Sequence, residues 1–201
     1  MPVRATNLTM DDKTLVASVR DGKTHAFRFL VEKYKNLVWH MVIRMTDRHE
    51  DGEDICQEVF LRVFRDIGKF RGESKLSTWI GSITWHTCVD HLRRHKREMV
   101  TAVENFTPAM LAKVDIPPNL GNHDRKALKS LVHLIIDAMP AHYRVVVTLY
   151  HLEGFSYAEI EEITGMPEGT VKSYLNRGRQ IIHDRMIAAI PEIRTVLFEA
   201  N

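Results

Sequence analysis

Apolar side chains recur at spacings of three and four along most of the chain, which is the period of a half-buried helix. Phe27, Leu30, Val31, Tyr34, Leu37, Val38, Met41, Val42 and Met45 form one such stripe. They predict a helix of about six turns, with Thr24 as its N-cap. A shorter helix precedes it, opened by a capping box from Thr9 to Asp12 and carrying Leu15, Val16 and Val19. A third stripe runs Ile55, Val59, Phe60, Val63, Phe64, Ile67, and a fourth runs Leu76, Ile80, Ile83, Cys88, Leu92 with Ser77 as its cap. No segment alternates with period two, so no sheet is predicted and the fold class is all-α.

The helical pattern stops between Glu98 and His123. That stretch holds Pro108, Pro117, Pro118 and Gly121 and few periodic positions, and a Pro-Pro pair cannot sit inside a helix. It reads as a flexible linker over 98–123 between two small helical domains, 1–97 and 124–201. Periodicity resumes with Leu128, Leu131, Val132 and Ile135. Pro140 ends that run and opens the next helix at its first turn, with Tyr143, Val146, Val147 and Tyr150 on it and a stop near Gly154. Two further helices are predicted over 156–164 and 168–190, joined at Gly165-Met166-Pro167.

Composition narrows the class. The 201 residues are 44% hydrophobic, enough to fill a sizeable core. Two cysteines, Cys56 and Cys88, stand far apart and in no CxxC pair. That excludes a disulfide scaffold and a Cys-rich zinc finger and fits a reducing, cytoplasmic setting. The longest apolar runs, such as Val145–Leu149, fall far short of the ~20 residues of a membrane-spanning helix. Arg4 is followed by no apolar stretch with a small-residue cleavage site, so no signal peptide is expected.

Net charge is near zero, but the charges are segregated. Residues 47–58 hold six carboxylates against Arg48, and residues 62–97 hold nine Lys and Arg against three carboxylates. The basic block suggests a polyanionic partner. Within it, Phe70, Trp79 and Trp85 are interleaved with Arg71, Lys75, His86 and the run Arg93-Arg94-His95-Lys96-Arg97. Aromatic faces for unpaired bases, flanked by cations for phosphates, suit single-stranded DNA. Trp79 and Trp85 are six apart and fall on different helix faces. Trp79 is expected in the core and Trp85 on the strand-binding surface.

The sharpest motif lies near the C-terminus. Ser156-Tyr157-Ala158-Glu159-Ile160 opens a short helix with Ser156 as cap and Ala158 where two helices would cross closely. Gly165 permits a positive φ at the turn. Pro167-Glu168-Gly169-Thr170-Val171 then starts a second helix anchored by Val171 and Leu175. This is a helix-turn-helix layout, whose second helix enters the major groove. Lys172, Ser173, Tyr174, Asn176, Arg177 and Arg179 would be its DNA-facing residues.

Four segments together resemble the extracytoplasmic-function sigma factors of bacterial RNA polymerase. Glu53-Asp54-Ile55-Cys56-Gln57-Glu58-Val59-Phe60-Leu61-Arg62 is similar to the family's acidic "EDLVQEVFLR" motif, and Phe70–Ile80 to its "FRG…TWL" stretch. Asp90-His91-Leu92-Arg93-Arg94 is similar to "DxLRR", and Ser156–Arg179 to "SYxEIAxxxGxPxGTVKSRLxRAR". The resemblance covers roughly 11–97 and 124–188, and it implies a use for each charge block. Asp54, Gln57, Glu58 and Leu61 would dock on the β′ clamp helices of core polymerase. Arg71, Lys75, Trp85, His86, Arg93, Arg94, Lys96 and Arg97 would melt and bind the minus-ten element. The helix-turn-helix would read the minus-thirty-five element beside the β flap, and the linker would thread toward the RNA exit path. An anti-sigma partner is implied as well. The family often has Asn near His86, Arg near Ser82 and Arg at Tyr174; these departures bear on the promoter sequence read.

Catalytic and metal readings find little support. His91 and His95 are four apart, but Arg94, Lys96 and Arg97 crowd them, and structural or phosphate-facing histidines are expected. No Gly-rich phosphate loop is present, and Ser173 and Tyr174 sit on the recognition helix itself, which does not suit a recombinase nucleophile. The expectation is a non-enzymatic initiation subunit without metal or cofactor, acting on promoter DNA with core polymerase and not inserted in a membrane. The alternative is a one-component helix-turn-helix regulator with an N-terminal helical sensor domain.

Overall fold

The computed structural model describes residues 10–46, 51–94 and 125–190, with side chains in the last segment from 128 onward. Eight α-helices and one 3₁₀ turn are present among them: α1 (Asp12–Arg20), α2 (Thr24–Met45), α3 (Gly52–Asp66), the turn Ile67–Lys69, α4 (Leu76–Arg94), α5 (Arg125–Asp137), α6 (Ala141–His151), α7 (Tyr157–Thr164) and α8 (Glu168–Ala189). No strand occurs among the described residues. The expected linker, 98–123, lies outside them, as do Thr9, His95, Lys96 and Arg97.

The helix starts differ from the sequence reading in detail. Asp11 caps α1: its carboxylate accepts the Thr14 backbone N–H at 3.0 Å and the Thr14 hydroxyl at 2.6 Å. Lys23 occupies the N-cap of α2, without a side-chain bond, and Thr24 is already helical. α4 begins one residue before Ser77, so Ser77 lies in its first turn. Pro140 stands at the N-cap of α6 rather than inside it. α7 has the full reciprocal cap, with Ser156 accepting from the Glu159 backbone and Glu159 accepting from the Ser156 backbone N–H.

In the first half α2 is the spine, with α1, α3 and α4 packed on it. Its stripe of Leu30, Val38, Met41 and Val42 is fully buried. The Arg20 guanidinium ties the α3–α4 connection to α1. Its Nε donates to the Ile67 carbonyl at 3.2 Å, and Nη2 donates to the carbonyls of Gly68, at 3.3 Å, and Phe70. In the second half α8 packs on α5, α6 and α7. α6 is buried along nearly its whole length, from His142 to Leu149. A helix buried on every side needs partners on opposite sides. α8 supplies one and α2 the other.

The two halves therefore meet along α2–α6 and α4–α7, and one apolar cluster runs through both. Polar contacts cross the same seam. Arg44 pairs with the Asp137 carboxylate, and Arg144 Nε donates to the Arg44 carbonyl at 2.7 Å. His40 meets Glu153 at 2.6 Å, and Lys75 meets Glu159 at 2.9 Å. Ala158 is exposed rather than at a helix crossing. The close approach falls at Gly178, where a Cβ would lie 2.5 Å from Val147 Cγ2.

Candidate nucleic-acid interface

Three surfaces carry the residues singled out in the sequence. The first is the outer face of α3. Ile55, Val59 and Val63 point into the core, which leaves Asp54, Gln57 and Leu61 exposed on the opposite side. Leu61 is 65% exposed, and Phe64, three residues on, is 53% exposed with its ring edge-on to Phe27 at 4.9 Å. By periodicity Phe64 belongs to the core stripe, but in the fold it extends the exposed row. The signal was available in its i+3 spacing from Leu61 and i+10 from Asp54. Glu58 sits at the edge of this face and accepts from Arg62 Nε at 2.7 Å, while Arg62 Nη1 reaches Asp90 on α4 at 3.1 Å. That bridge fixes α3 to α4 and keeps Glu58 partly engaged.

The second surface is the α3–α4 connection and the outer face of α4. Arg71, Lys75, His86, Arg93 and Arg94 are exposed. Gly72 has φ 75°, so the chain turns sharply beside Arg71. Arg71, Gly72, Ser74 and Lys75 line an open cleft of about 630 Å³ with Asp12, Lys13, Val16 and Arg20 of α1 and with Leu76 of α4. The His86 Nδ1–H donates to the Ser82 carbonyl at 2.7 Å, leaving Nε2 outward. His91 Nε2 lies 3.6 Å from the Asp51 carboxylate, a structural tie to the start of α3. Trp79 is half-buried against Phe70 with ring centroids 5.4 Å apart. Trp85, expected on the strand-binding surface, is 6% exposed, so in this arrangement of the chain it is a packed residue. Cys56 and Cys88 are neighbours across α3 and α4; burial pushes their thiols up to about 11 and about 12, so both stay protonated.

The third surface is the first half of α8. Gly165 has φ 72° and lets the chain reverse between α7 and α8. Val171 and Leu175 are fully buried and fix the rotation of α8, which leaves Lys172, Ser173, Asn176 and Arg177 exposed on one side. Lys172 pairs with Glu168 and lies 5.5 Å over the Tyr157 ring. Arg177 Nη1 donates to the Tyr143 hydroxyl at 3.4 Å. Tyr174 does not join this row; its ring packs on His142 and Tyr143 at 4.8 and 5.1 Å. Arg179 lies 5.2 Å over the Tyr150 ring, and its Nε donates to His151 Nε2 at 3.1 Å. Tyr150 in turn stacks on Tyr157 at 5.1 Å. A ladder of aromatic rings and cations thus flanks the exposed row, which sequence spacing alone did not reveal.

Among the described residues no group of three or more His, Cys, Asp and Glu could hold a metal ion. None of their helices is long and apolar enough to cross a membrane.

The family model described as Sigma-70 region 2 matches residues 30–98, and that described as Sigma-70, region 4 matches residues 129–182. An ECF RNA polymerase sigma-E factor of Haemophilus influenzae is 35% identical over 184 residues, 88% of this chain and 96% of the relative. The chain belongs to the extracytoplasmic-function sigma factors. An RNA polymerase sigma-H factor of Pseudomonas aeruginosa is 33% identical over 176 residues, covering 85% of this chain and 91% of that protein. Two solved structures share the fold. The sigma factor RpoE of Bartonella quintana, crystallised with the anti-sigma factor NepR, has TM-score 0.58 at 22% identity and covers 80% of this chain and 96% of its own. CnrH in complex with the cytosolic domain of CnrY has TM-score 0.60 at 17% identity, covering 88% and 97%. In this sigma factor the region-2 match takes in α3 and α4, and the region-4 match takes in α6, α7 and most of α8. The acidic face, the basic loop and the helix-turn-helix therefore all fall inside the matched regions.

Proposed function

We propose that this alternative sigma factor recruits core RNA polymerase through the outer face of α3 and reads its promoters with two separate surfaces. The observation that carries this reading is the exposed row Asp54, Gln57, Leu61, Phe64. Two large apolar side chains left in solvent beside a carboxylate and an amide make a docking face. The partner assigned to it is the β′ clamp helices. Leu61 and Phe64 supply desolvated anchors, and Asp54 and Glu58 supply charge complementarity.

The loop around Arg71 and Lys75, with His86, Arg93, Arg94, Lys96 and Arg97, binds the opened minus-ten strand. The cleft beside Gly72 is large enough for an extruded base, with Arg71 and Lys75 placed for the flanking phosphates. Trp85 joins this surface only when its covering is removed. On α8, Lys172, Ser173, Asn176 and Arg177 read the minus-thirty-five major groove, and Arg179 holds a phosphate. Tyr174 supports the row from behind. Regions 1–97 and 124–201 work as the two binding modules, with 98–123 between them and the second module beside the β flap. The protein acts in the cytoplasm, catalyses no reaction itself, and is held by an anti-sigma factor, a reading supported by the structural neighbour RpoE of Bartonella quintana, which was crystallised with the anti-sigma factor NepR.

The test is core binding by the Asp54→Arg, Glu58→Arg double variant and, separately, by Leu61→Ala. Both should keep the helical fold and bind core more weakly by about 2–4 kcal/mol. Wild-type affinity in folded variants would reject the α3 face as the docking surface.

A further inference from the structure

We infer that His151 is a positioning residue for Arg179, holding its guanidinium ready for a DNA phosphate only while the imidazole is neutral. The inference rests on the phosphate role proposed for Arg179. The three cations on the reading side of α8 are held in different ways. Lys172 is paired with the Glu168 carboxylate, and Arg177 leans on the Tyr143 hydroxyl. Arg179 has no carboxylate partner among the described residues, yet its side chain is fixed from two helices. Its Nε donates to His151 Nε2 at 3.1 Å, and its guanidinium lies 5.2 Å over the Tyr150 ring. That ring is clamped in turn, edge-on to His151 at 4.9 Å and stacked on Tyr157 of α7 at 5.1 Å. The Tyr157 hydroxyl is drawn below its ordinary pKa first by Tyr150 and then by Arg179. The helix crossing brings these groups together. Val147 and His151 are i and i+4 on α6 and share a face. Val147 meets Gly178 closely, and one turn on, the same face meets the side chain of the next residue, Arg179.

A long side chain loses rotamer freedom when it engages a phosphate. Here that loss is taken in the folded protein, before DNA arrives. The bond through Nε leaves both Nη groups for phosphate oxygens, and the charge stays unneutralised. The bond also has one polarity. Arginine Nε can only donate, so imidazole Nε2 must accept and the ring proton sits on Nδ1. Protonation would set a second N–H and a second positive charge against the guanidinium. Arg179 of α8 is the charge that faces the ring. Tyr150 of α6 stands beside it as a neutral ring, with Tyr157 of α7 next in the stack and Lys172 over Tyr157. The C-terminal end of α6 favours an imidazolium, but burial first and Arg179 second hold His151 below its ordinary pKa. It is therefore neutral above pH ~6.5 and takes up its proton below.

The experiment uses the full chain as wild type, His151→Gln, His151→Ala and Arg179→Ala. Affinity for a minus-thirty-five duplex is measured over a range of salt and from pH ~7.5 to ~5, with circular dichroism confirming the helical fold at each pH. A glutamine carbonyl oxygen can accept from Nε as Nε2 does, and it takes no proton in this range. At the upper pH the Gln variant should match wild type. The Ala variant should bind about three- to ten-fold more weakly with an unchanged salt slope, because the phosphate contact still forms but from an unheld side chain. As the pH falls, the ratio of wild-type to Gln-variant affinity should drop about three- to ten-fold. A ratio that stays constant overturns the inference. A ratio that rises also overturns it, because the imidazolium would then be a phosphate ligand itself. Wild-type affinity in His151→Ala, beside a clear loss in Arg179→Ala, strikes the positioning role alone. Wild-type affinity and salt slope in Arg179→Ala strike the phosphate role, and the inference with it.

Discussion

Gly178→Ala is a change that helix propensity alone would favour and this packing forbids. The family motif has Ala at this place in α8, and Ala over Gly in a helix gains up to ~1 kcal/mol. Here a Cβ would lie 2.5 Å from Val147 Cγ2, roughly 1 Å inside ordinary carbon contact. Val147 is fully buried on α6, and a β-branched side chain in a helix has essentially one χ1 well. The added methyl must push α8 off α6 or drive Val147 off its rotamer, and overpacking of this kind costs ~1–3 kcal/mol. Net of the propensity gain, a loss of ~0.5–2 kcal/mol is expected. Urea denaturation should show a lower midpoint with an unchanged slope. Combining the change with Val147→Ala should recover stability relative to the sum of the single changes, by about 1 kcal/mol. Minus-thirty-five duplex binding should also weaken in the single variant, since α8 carries the reading row. A Gly178→Ala protein more stable than wild type, with no coupling to Val147, would refute the close α6–α8 crossing.

Other outcomes follow from the same geometry. Arg177→Ala should cost ~1–3 kcal/mol and relax the preference at one base pair, whereas Arg179→Ala should weaken all sequences alike and lower the salt slope by about one; binding across a library of elements separates them. Burial holds the His142 imidazole below its ordinary pKa, and His133 and His151 are lowered first by burial and then by Arg44 and Arg179 respectively. The folded chain resists protons that the unfolded chain takes up near pH ~6.5, so this stability is full above that pH and is lost as the pH falls. Thermal melts from pH 7.5 to 5.5 should show it, and His142→Phe, which keeps a ring against Tyr143 and Tyr174, should shrink the drop. Glu159, held at about 2 against an ordinary 4.5, contributes fully above pH ~4.5 and loses its contribution toward pH ~2; scattering at low salt should show the halves parting across that lower window.

Much of the fold was legible because single helices write their buried side into the chain. The stripe from Leu30 to Met45 and the pair Val171 and Leu175 located core faces correctly. The Ser156–Glu159 cap and Gly165 marked the helix-turn-helix, since both act within a few residues. What the sequence did not reveal depends on partners far along the chain. Val145, Val146 and Val147 are consecutive and all buried, which requires helices on two sides, but nothing local names α2 as the second. Trp85 and Phe64 were exchanged in role for the same reason. A large apolar side chain looks alike whether the fold buries it, as it does Trp85, or leaves it half in solvent, as it does Phe64. Spacing groups Tyr174 with its DNA-facing neighbours, but its helical phase brings the ring onto His142 and Tyr143.

In the proposed function, one chain confers bipartite promoter choice on polymerase. Selection of DNA from a randomised promoter library by core polymerase, with and without this protein, tests it most directly. Stoichiometric co-elution with core and recovery of two conserved elements at a fixed spacing, the downstream one opened to permanganate, are expected only when the protein is present. Recovery of a single element bound equally well without core would contradict it and favour a one-component regulator.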